Sequence, residues 1–319
     1  KFDALLDAVG APKGRLVPVY GDLTKARLGI GAAALKQLSG KIKHFFHLAA
    51  IYDLTADEES QVRTNVEGTR HAVQLADALK AGCFHHVSSI AAAGMFPGVF
   101  KEAMFDEAEG LDDPYFRTKH DSEGLVRDEC KRPFRIYRPA IVVGSSKTGD
   151  IDKVDGPYYF FTLIKKLRAI LPQWVPTIGI EGSRLNVVPV DWLVDAMDHI
   201  AHKPGLDGGC FHLTDPNPLR MGEMLNLFCK AAHAPQMTMR VDARVFAIVP
   251  SIVRNAIGGL PPVKRFTSSM LKDLGIPRQV LKYVNYPTRF DSRETERALR
   301  GSKIRLPKLE DYAWRLWDY

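Results

Sequence analysis

No apolar run in this chain of 319 residues approaches the roughly 18 residues that a membrane-spanning helix requires. The longest candidate, Val245–Val253, is short and interrupted by Pro250. It reads as a helix facing lipid or an acyl chain, or as a plain core helix. Cysteine is sparse: Cys83, Cys130, Cys210 and Cys229 lie far apart with no Cys-x-x-Cys pair. That pattern argues against a disulfide framework or a zinc site and suits reduced thiols in a cytoplasmic setting. Other metal-ligand spacings are poor as well. His199 and His202 share a helical stretch without further ligands, and His85 and His86 point to opposite faces of a strand, so no metal is expected. Basic residues are scattered despite a net charge of +7, with no basic helix or aromatic-interleaved patch. Nucleic acid is therefore not an expected partner, although the positive balance favours phosphorylated ligands. Lys165, Lys166 and Arg168 could meet such phosphates or form a solvated helix face.

Several catalytic signatures are also missing. Gly144-Ser-Ser-Lys-Thr-Gly149 has the glycine spacing of a phosphate-binding loop, but Asp150-Ile151 stand where Lys and Ser or Thr would bind phosphate and magnesium. No Gly-x-Ser-x-Gly surrounds Ser88 or Ser89, which removes the hydrolase elbow.

What is present is an ordinary globular composition, 45% apolar and 25% charged, arranged as alternating strands and helices. Strand-like segments are Leu16–Tyr20, His44–Leu48, Phe84–Ser89, Phe134–Arg138 running into Pro139–Gly144, and Cys210–Thr214. Helical stretches lie between them, one from Asn65 to about Leu79 and one carrying Tyr115. Such alternation predicts a parallel sheet covered on both faces. Beyond Gly144 come a Gly-, Asp- and Pro-rich stretch, an aromatic helix near Tyr158–Leu171, and a strand at Arg184–Asp191 turning into a helix at an Asp191 cap. Residues 216–319 read as mostly helical.

The most informative constellation is Ser89, Tyr115 and Lys119. A spacing of four on a helix over 114–128 puts the phenol and the ammonium on one face. The ammonium favours the phenolate, which eases proton exchange with an alkoxide near neutral pH. Ser89, at a strand end, supplies a hydroxyl to the oxygen on which negative charge builds.

Seven motifs occur in order: Gly21-Asp22-Leu23, His47-Leu48-Ala49-Ala50, Asn65-Val-Glu-Gly-Thr69, Val87-Ser-Ser89, Tyr115-x-x-x-Lys119, Arg138-Pro139 and Asn186–Asp191. Together they resemble the extended short-chain dehydrogenase/reductase superfamily over nearly the whole chain. Val17–Leu23, Val87–Ala93, Asn285–Asp291 and the tail ending in Trp314-Arg-Leu-Trp317 look most like its fatty acyl-CoA reductase and thioester reductase branch. The resemblance implies an α/β, Rossmann-like doubly wound parallel sheet with a smaller, mostly helical substrate lobe. Residues 1–144 would form the dinucleotide-binding domain, 145–185 a lobe insertion, 186–215 a return to the sheet, and 216–319 a C-terminal helical substrate domain.

The implied activity is NADPH-dependent reduction of an acyl-CoA or other acyl thioester to aldehyde or, with a second hydride, to alcohol, NAD not being excluded. Ser89, Tyr115 and Lys119 would be catalytic. Asp22 and Leu23 would contact adenine, and Leu48, Ala49 and Ala50 ribose and phosphates. Pro139, Ala140, Ile141 and Val142 would line the nicotinamide, with Asn65 bracing the sheet. Tyr115 and Lys119 would also touch the cofactor. Sugar-nucleotide epimerases, hydroxysteroid dehydrogenases and non-catalytic dinucleotide sensors use the same fold and remain alternatives. No Gly-x-x-Gly-x-x-Gly loop precedes the third-strand motif, so the opening βαβ unit, roughly 30 residues or more, is expected ahead of Lys1. The tail resembles the reductase part of a longer chain carrying a second reductase domain.

Overall fold

Short apolar strands buried on both faces build the centre of the molecule, as a parallel sheet demands. The computed structural model describes residues 6, 10, 12, 14–51, 57–152, 156–242 and 285–319. The expected Val245–Val253 helix and most of Phe2–Val9 lie outside them. Strands β1 (His44–His47), β2 (Cys83–Val87), β4 (Phe134–Pro139) and β8 (Cys210–Leu213) form a parallel sheet in the order β1-β2-β4-β8. Helix α1 (Ala32–Leu38) precedes β1, and between β1 and β2 the chain runs through helix α2 (Glu58–Gln61), a π-helical segment (Val62–Glu67) and α3 (Gly68–Ala78). Helix α4 (Pro114–Glu129) joins β2 to β4, and α6 (Val190–His202) precedes β8. Each parallel pair thus has the helical crossover that parallel geometry requires.

Helices cover both sheet faces. Phe84 packs with Ala72, Val73 and Ala76 of α3 and with Leu125 and Val126 of α4. On the other face Tyr137 and Phe211 meet Trp192, Ala196 and Ile200 of α6, joined by Ala298 and Leu299 of α8 (Arg293–Leu299). The architecture is the doubly wound Rossmann-like one.

The second core holds the lobe. Val143 of β5 (Ile141–Val143) and Val187 of β7 (Val187–Pro189) pack against Ile164 of α5 (Tyr159–Ile170). Met224 and Phe228 of α7 (Met221–Ala231) join them, with Tyr312 and Leu316 of α9 (Leu309–Asp318). β5 pairs with β7, β6 (Thr177–Glu181) with β9 (Met237–Asp242), and β3 (Gly98–Phe100) with β10 (Thr288–Phe290), all parallel.

Two expectations are corrected. Leu16–Tyr20 forms no strand and lies exposed, Tyr20 at 93%. Its apolar alternation has no neighbouring ladder, since β1 is an edge whose partner among the described residues is β2. Asp191 is not the α6 cap: Pro189 holds that position, and the Asp191 carboxylate, in the first turn, accepts from Ser146 N (2.8 Å) and Oγ (2.7 Å). No helix among the described residues is long and apolar enough to cross a membrane.

Candidate functional site

Helix α4 begins where its sequence says it should. Asp113 accepts from Tyr115 N (3.0 Å) and Pro114 occupies the first turn, where a missing N–H costs nothing. That start puts Tyr115 one turn ahead of Lys119 on the same face. Lys119 is buried at 6% exposure, and its side chain has no carboxylate partner among the described residues. Burial alone pulls its ammonium down to about 8. The Tyr115 ring packs against a small apolar group made by Ala91, Phe116 and Tyr286.

Ser89 follows β2 in extended backbone and caps the 3₁₀ turn Ile90–Ala93. Its Oγ accepts from Ala91 N (3.1 Å), so the hydroxyl proton remains available to donate.

Ser89, Tyr115 and Lys119 line one cavity of about 1120 Å³. Leu48, Ala50, Pro139, Ala140, Ile141 and Val142 form its wall beside them. The wall also carries the aromatic and aliphatic Tyr159, Phe160, Leu185 and Met221, together with the charged Asp150, Asp152, Arg184 and Arg289. Four of the sequence-expected residues are not on that wall. Ala49 lies between two that are. Asp22 is half-buried and closes a turn on Thr24 N (2.9 Å) and Oγ1 (2.7 Å), bonds that hold its carboxyl below the ordinary range. The Leu23 carbonyl bonds His71 Nδ1 at 2.7 Å. Asn65, buried in the π-helical segment, accepts from Ile51 N (2.7 Å) and donates to Ile51 O (2.9 Å) and Thr118 Oγ1 (3.3 Å). It ties the loop after β1 to the helix bearing Tyr115 and Lys119.

Sequence reasoning missed two parts of the site. One is the wall made by Tyr286, Thr288, Arg289 and Phe290, held there by β10 pairing with β3. Its only signal was the Asn285–Asp291 motif. The other is a buried ion cluster just beneath the site. Glu123, wholly buried one turn after Lys119, accepts from Arg138 Nε (2.9 Å) and Nη2 (2.6 Å), from Arg127 Nη2 (2.8 Å) and from Ser88 Oγ (2.8 Å). Burial alone would raise the Glu123 carboxyl, but Arg138 and then Arg127 outweigh it and bring the group to about 2. Arg138 also donates to Met104 O (2.8 Å) and contacts His212 Nε2 (3.1 Å). A glutamate four residues after Lys119 and an arginine before Pro139 were the legible traces of this cluster. Among the described residues no group of three or more His, Cys, Asp or Glu could hold a metal ion.

Comparison with known proteins gives the family and the fold of the chain. A model of an NAD-binding family described as Male sterility protein matches residues 3–197. FrzA, a non-canonical nonribosomal peptide synthetase of Cladobotryum sp, is 26% identical over 303 residues, covering 90% of this chain and 28% of the synthetase. Aldehyde reductase lnaA of Aspergillus flavus is 25% identical over 302 residues, 90% of this chain and 28% of the reductase. The chain thus spans 28% of the length of both relatives. The crystal structure of the terminal R domain from the myxalamid PKS-NRPS biosynthetic pathway matches with a TM-score of 0.71 at 23% identity, over 98% of this chain and 75% of that one. That likeness is one of fold.

Proposed function

The chain belongs to the NAD-binding Male sterility protein family, within the extended short-chain dehydrogenase/reductase superfamily, and from that premise we propose that it reduces an acyl thioester to an aldehyde with NADPH. The observation that carries the reading is the shared cavity: Ser89, Tyr115 and Lys119 all line it, beside an apolar wall. The chemistry of that wall suits a nicotinamide. Small and apolar residues at Leu48, Ala50 and Pro139–Val142 leave room for a flat ring, and the buried Lys119 ammonium has no acid to neutralise it among the described residues. Leu48, Ala49, Ala50, Pro139, Ala140, Ile141 and Val142 would hold the dinucleotide, with Asp22 and Leu23 at the adenine end and Asn65 bracing the loop. When bound, the reduced nicotinamide supplies hydride.

The protein's own residues do the rest. Ser89 and Tyr115 donate to the thioester carbonyl oxygen as it gains negative charge, each such donor contributing about 3 kcal/mol of barrier lowering. Lys119 would hold the nicotinamide ribose and tune Tyr115 as a proton donor. Reduction leaves a tetrahedral carbon bearing oxygen and sulfur. As the C–S bond breaks, the thiolate departs, the oxygen becomes the aldehyde, and solvent supplies the thiol proton. The aromatic and aliphatic wall residues Tyr159, Phe160, Leu185 and Met221 favour an acyl chain over a sugar.

The test is Tyr115→Phe in the full-length protein, followed as NADPH oxidation driven by a long-chain acyl-CoA. Loss of one donor should lower kcat by roughly 10²–10³, with NADPH affinity near that of the unaltered protein. Unchanged turnover refutes the assignment, and turnover confined to UDP-sugars or steroids would move the substrate class.

A further inference from the structure

Three members of the buried cluster, Ser88, Glu123 and Arg138, stand beside a site residue or one helical turn from it. Ser88 immediately precedes Ser89. Glu123 stands one helical turn after Lys119, and Arg138 immediately precedes Pro139. The Ser88 hydroxyl, 3% exposed, donates to Glu123 Oε2 at 2.8 Å, and the same carboxylate takes Arg138 Nε and Nη2. One carboxylate therefore ties together the end of β2, the middle of α4 and the end of β4. The Ser88 backbone is held as well, its N–H donating to Tyr137 O at 2.8 Å.

Extended backbone sends neighbouring side chains to opposite sides. Both serines border the cavity, but the Ser88 hydroxyl is taken by Glu123, whereas the Ser89 Oγ accepts from Ala91 N (3.1 Å) and keeps its own proton to donate. Glu123 in turn has no freedom to follow Ser88. Both its oxygens are engaged by guanidinium groups, and Arg138 is fixed by Met104 O and His212 and lies over the Phe100 ring at 5.2 Å. A buried charge held on this many sides has one position.

We propose that Ser88 is a positioning residue: through its bond to Glu123 it fixes the rotation of the β2 end and thereby aims the Ser89 hydroxyl at the substrate oxygen. Ser88 acts through Ser89 and does not itself touch the reacting atoms. The inference rests on the functional reading above. A hydroxyl donor has its effect only when held at the oxyanion's position, so a small rotation of the strand end weakens catalysis without altering what binds.

A double-mutant cycle in the full-length protein tests this, measured as kcat and KM for acyl-CoA-driven NADPH oxidation, with thermal melts alongside. Ser88→Ala should lower kcat about tenfold and leave the KM for NADPH within about twofold. Placed in a Ser89→Ala background, Ser88→Ala should cost nothing more, because the group it aims is gone. Should the alanine variant be unstable, Ser88→Cys, near-isosteric and only a weak donor, should show the same coupling with a smaller loss. A lower melting temperature with unchanged kcat overturns the proposal and leaves Ser88 a purely structural residue. So does an equal loss of kcat whether Ser88→Ala is made in the wild-type protein or in the Ser89→Ala variant. Full activity in Ser89→Ala alone would sink the functional reading and this inference with it. A normal Ser89→Ala loss beside an unaffected Ser88→Ala sinks the inference only.

Discussion

Replacing Glu123 with glutamine removes one charge from a buried polar cluster while preserving side-chain shape. Arg138 is wholly buried and always protonated; burial disfavours its charge, and its surroundings, Glu123 among them, more than make up for that. In Glu123→Gln its two bonds to the carboxylate, Nε at 2.9 Å and Nη2 at 2.6 Å, lose their anionic acceptor, and one of the two oxygens becomes an NH2 facing the guanidinium; the amide oxygen, the Met104 carbonyl and the His212 ring remain as neutral partners. Breaking a buried pair from one side typically costs about 3–5 kcal/mol, because the surviving charge stays out of water unpaired. The Arg127 contact adds little, since that side chain is partly exposed. Against a typical domain stability of about 5–15 kcal/mol the loss is large. Equilibrium urea denaturation of Glu123→Gln should show it, and the double variant Glu123→Gln/Arg138→Met should recover most of it, since an apolar replacement of the whole pair leaves no stranded charge. The pH dependence carries a sign. The folded carboxyl, at about 2, lies below its unfolded value, so its stabilisation is complete above an unfolded value of about 4.5 and is lost as pH falls through about 2. The gap between wild type and Glu123→Gln should thus hold steady from pH 8 to pH 5 and close below it. A single-variant loss under about 1 kcal/mol, or a gap that widens in acid, would refute the account.

Lys119 offers a second pH signature. Burial lowers its ammonium to about 8, so the charged fraction falls as pH rises through that value, and kcat for thioester reduction should decline on the alkaline side with a limb near pH 8. A flat profile to pH 10 contradicts the role given to this residue. Asn65→Ala leaves the Ile51 N–H and carbonyl without their side-chain partner. It should cost about 1–3 kcal/mol in thermal or urea unfolding and weaken NADPH binding measured by fluorescence quenching. Wild-type values in both assays would dismiss the brace.

Local pattern and non-local pairing explain what could be read from the chain and what could not. The helix bearing Tyr115 and Lys119 was legible because its start is written locally, in Asp113 and Pro114, and because a spacing of four needs no other element to bring the two side chains together. β2 and β4 announced themselves as short apolar runs. Leu16–Tyr20 carries the same signature and forms no strand, because a strand exists only where a neighbour accepts its ladder. β6 and β9 pair across more than fifty residues, and Thr177–Glu181 contains a glycine that weakens its strand signal. The cavity wall at Tyr286–Phe290 depends likewise on pairing with Gly98–Phe100, which periodicity does not report. Asp191 looked like a cap because its residue type favours caps. Ser146, distant in sequence, claims the carboxylate instead.

The catalytic proposal turns on a charge that the fold declines to neutralise. On an isolated helix Lys119 and Glu123, four apart, would be drawn into an ion pair. Here Glu123 is saturated by Arg138 and Arg127, with both oxygens occupied, so it has no lone pair to spare for the ammonium one turn away. Lys119 consequently lines the cavity buried and, among the described residues, without an acid, with desolvation as the influence that lowers its proton affinity. A cation held in that way interacts strongly with any phenolate or ribose hydroxyl that enters its surroundings, because little water screens it. The two arginines therefore serve the site indirectly. By occupying Glu123 they would, on the proposed mechanism, leave the Lys119 charge to act on Tyr115. An Arg127→Ala/Arg138→Met background should accordingly let Glu123 turn to Lys119, stabilise its ammonium and move the alkaline limb of the kcat profile above about 8.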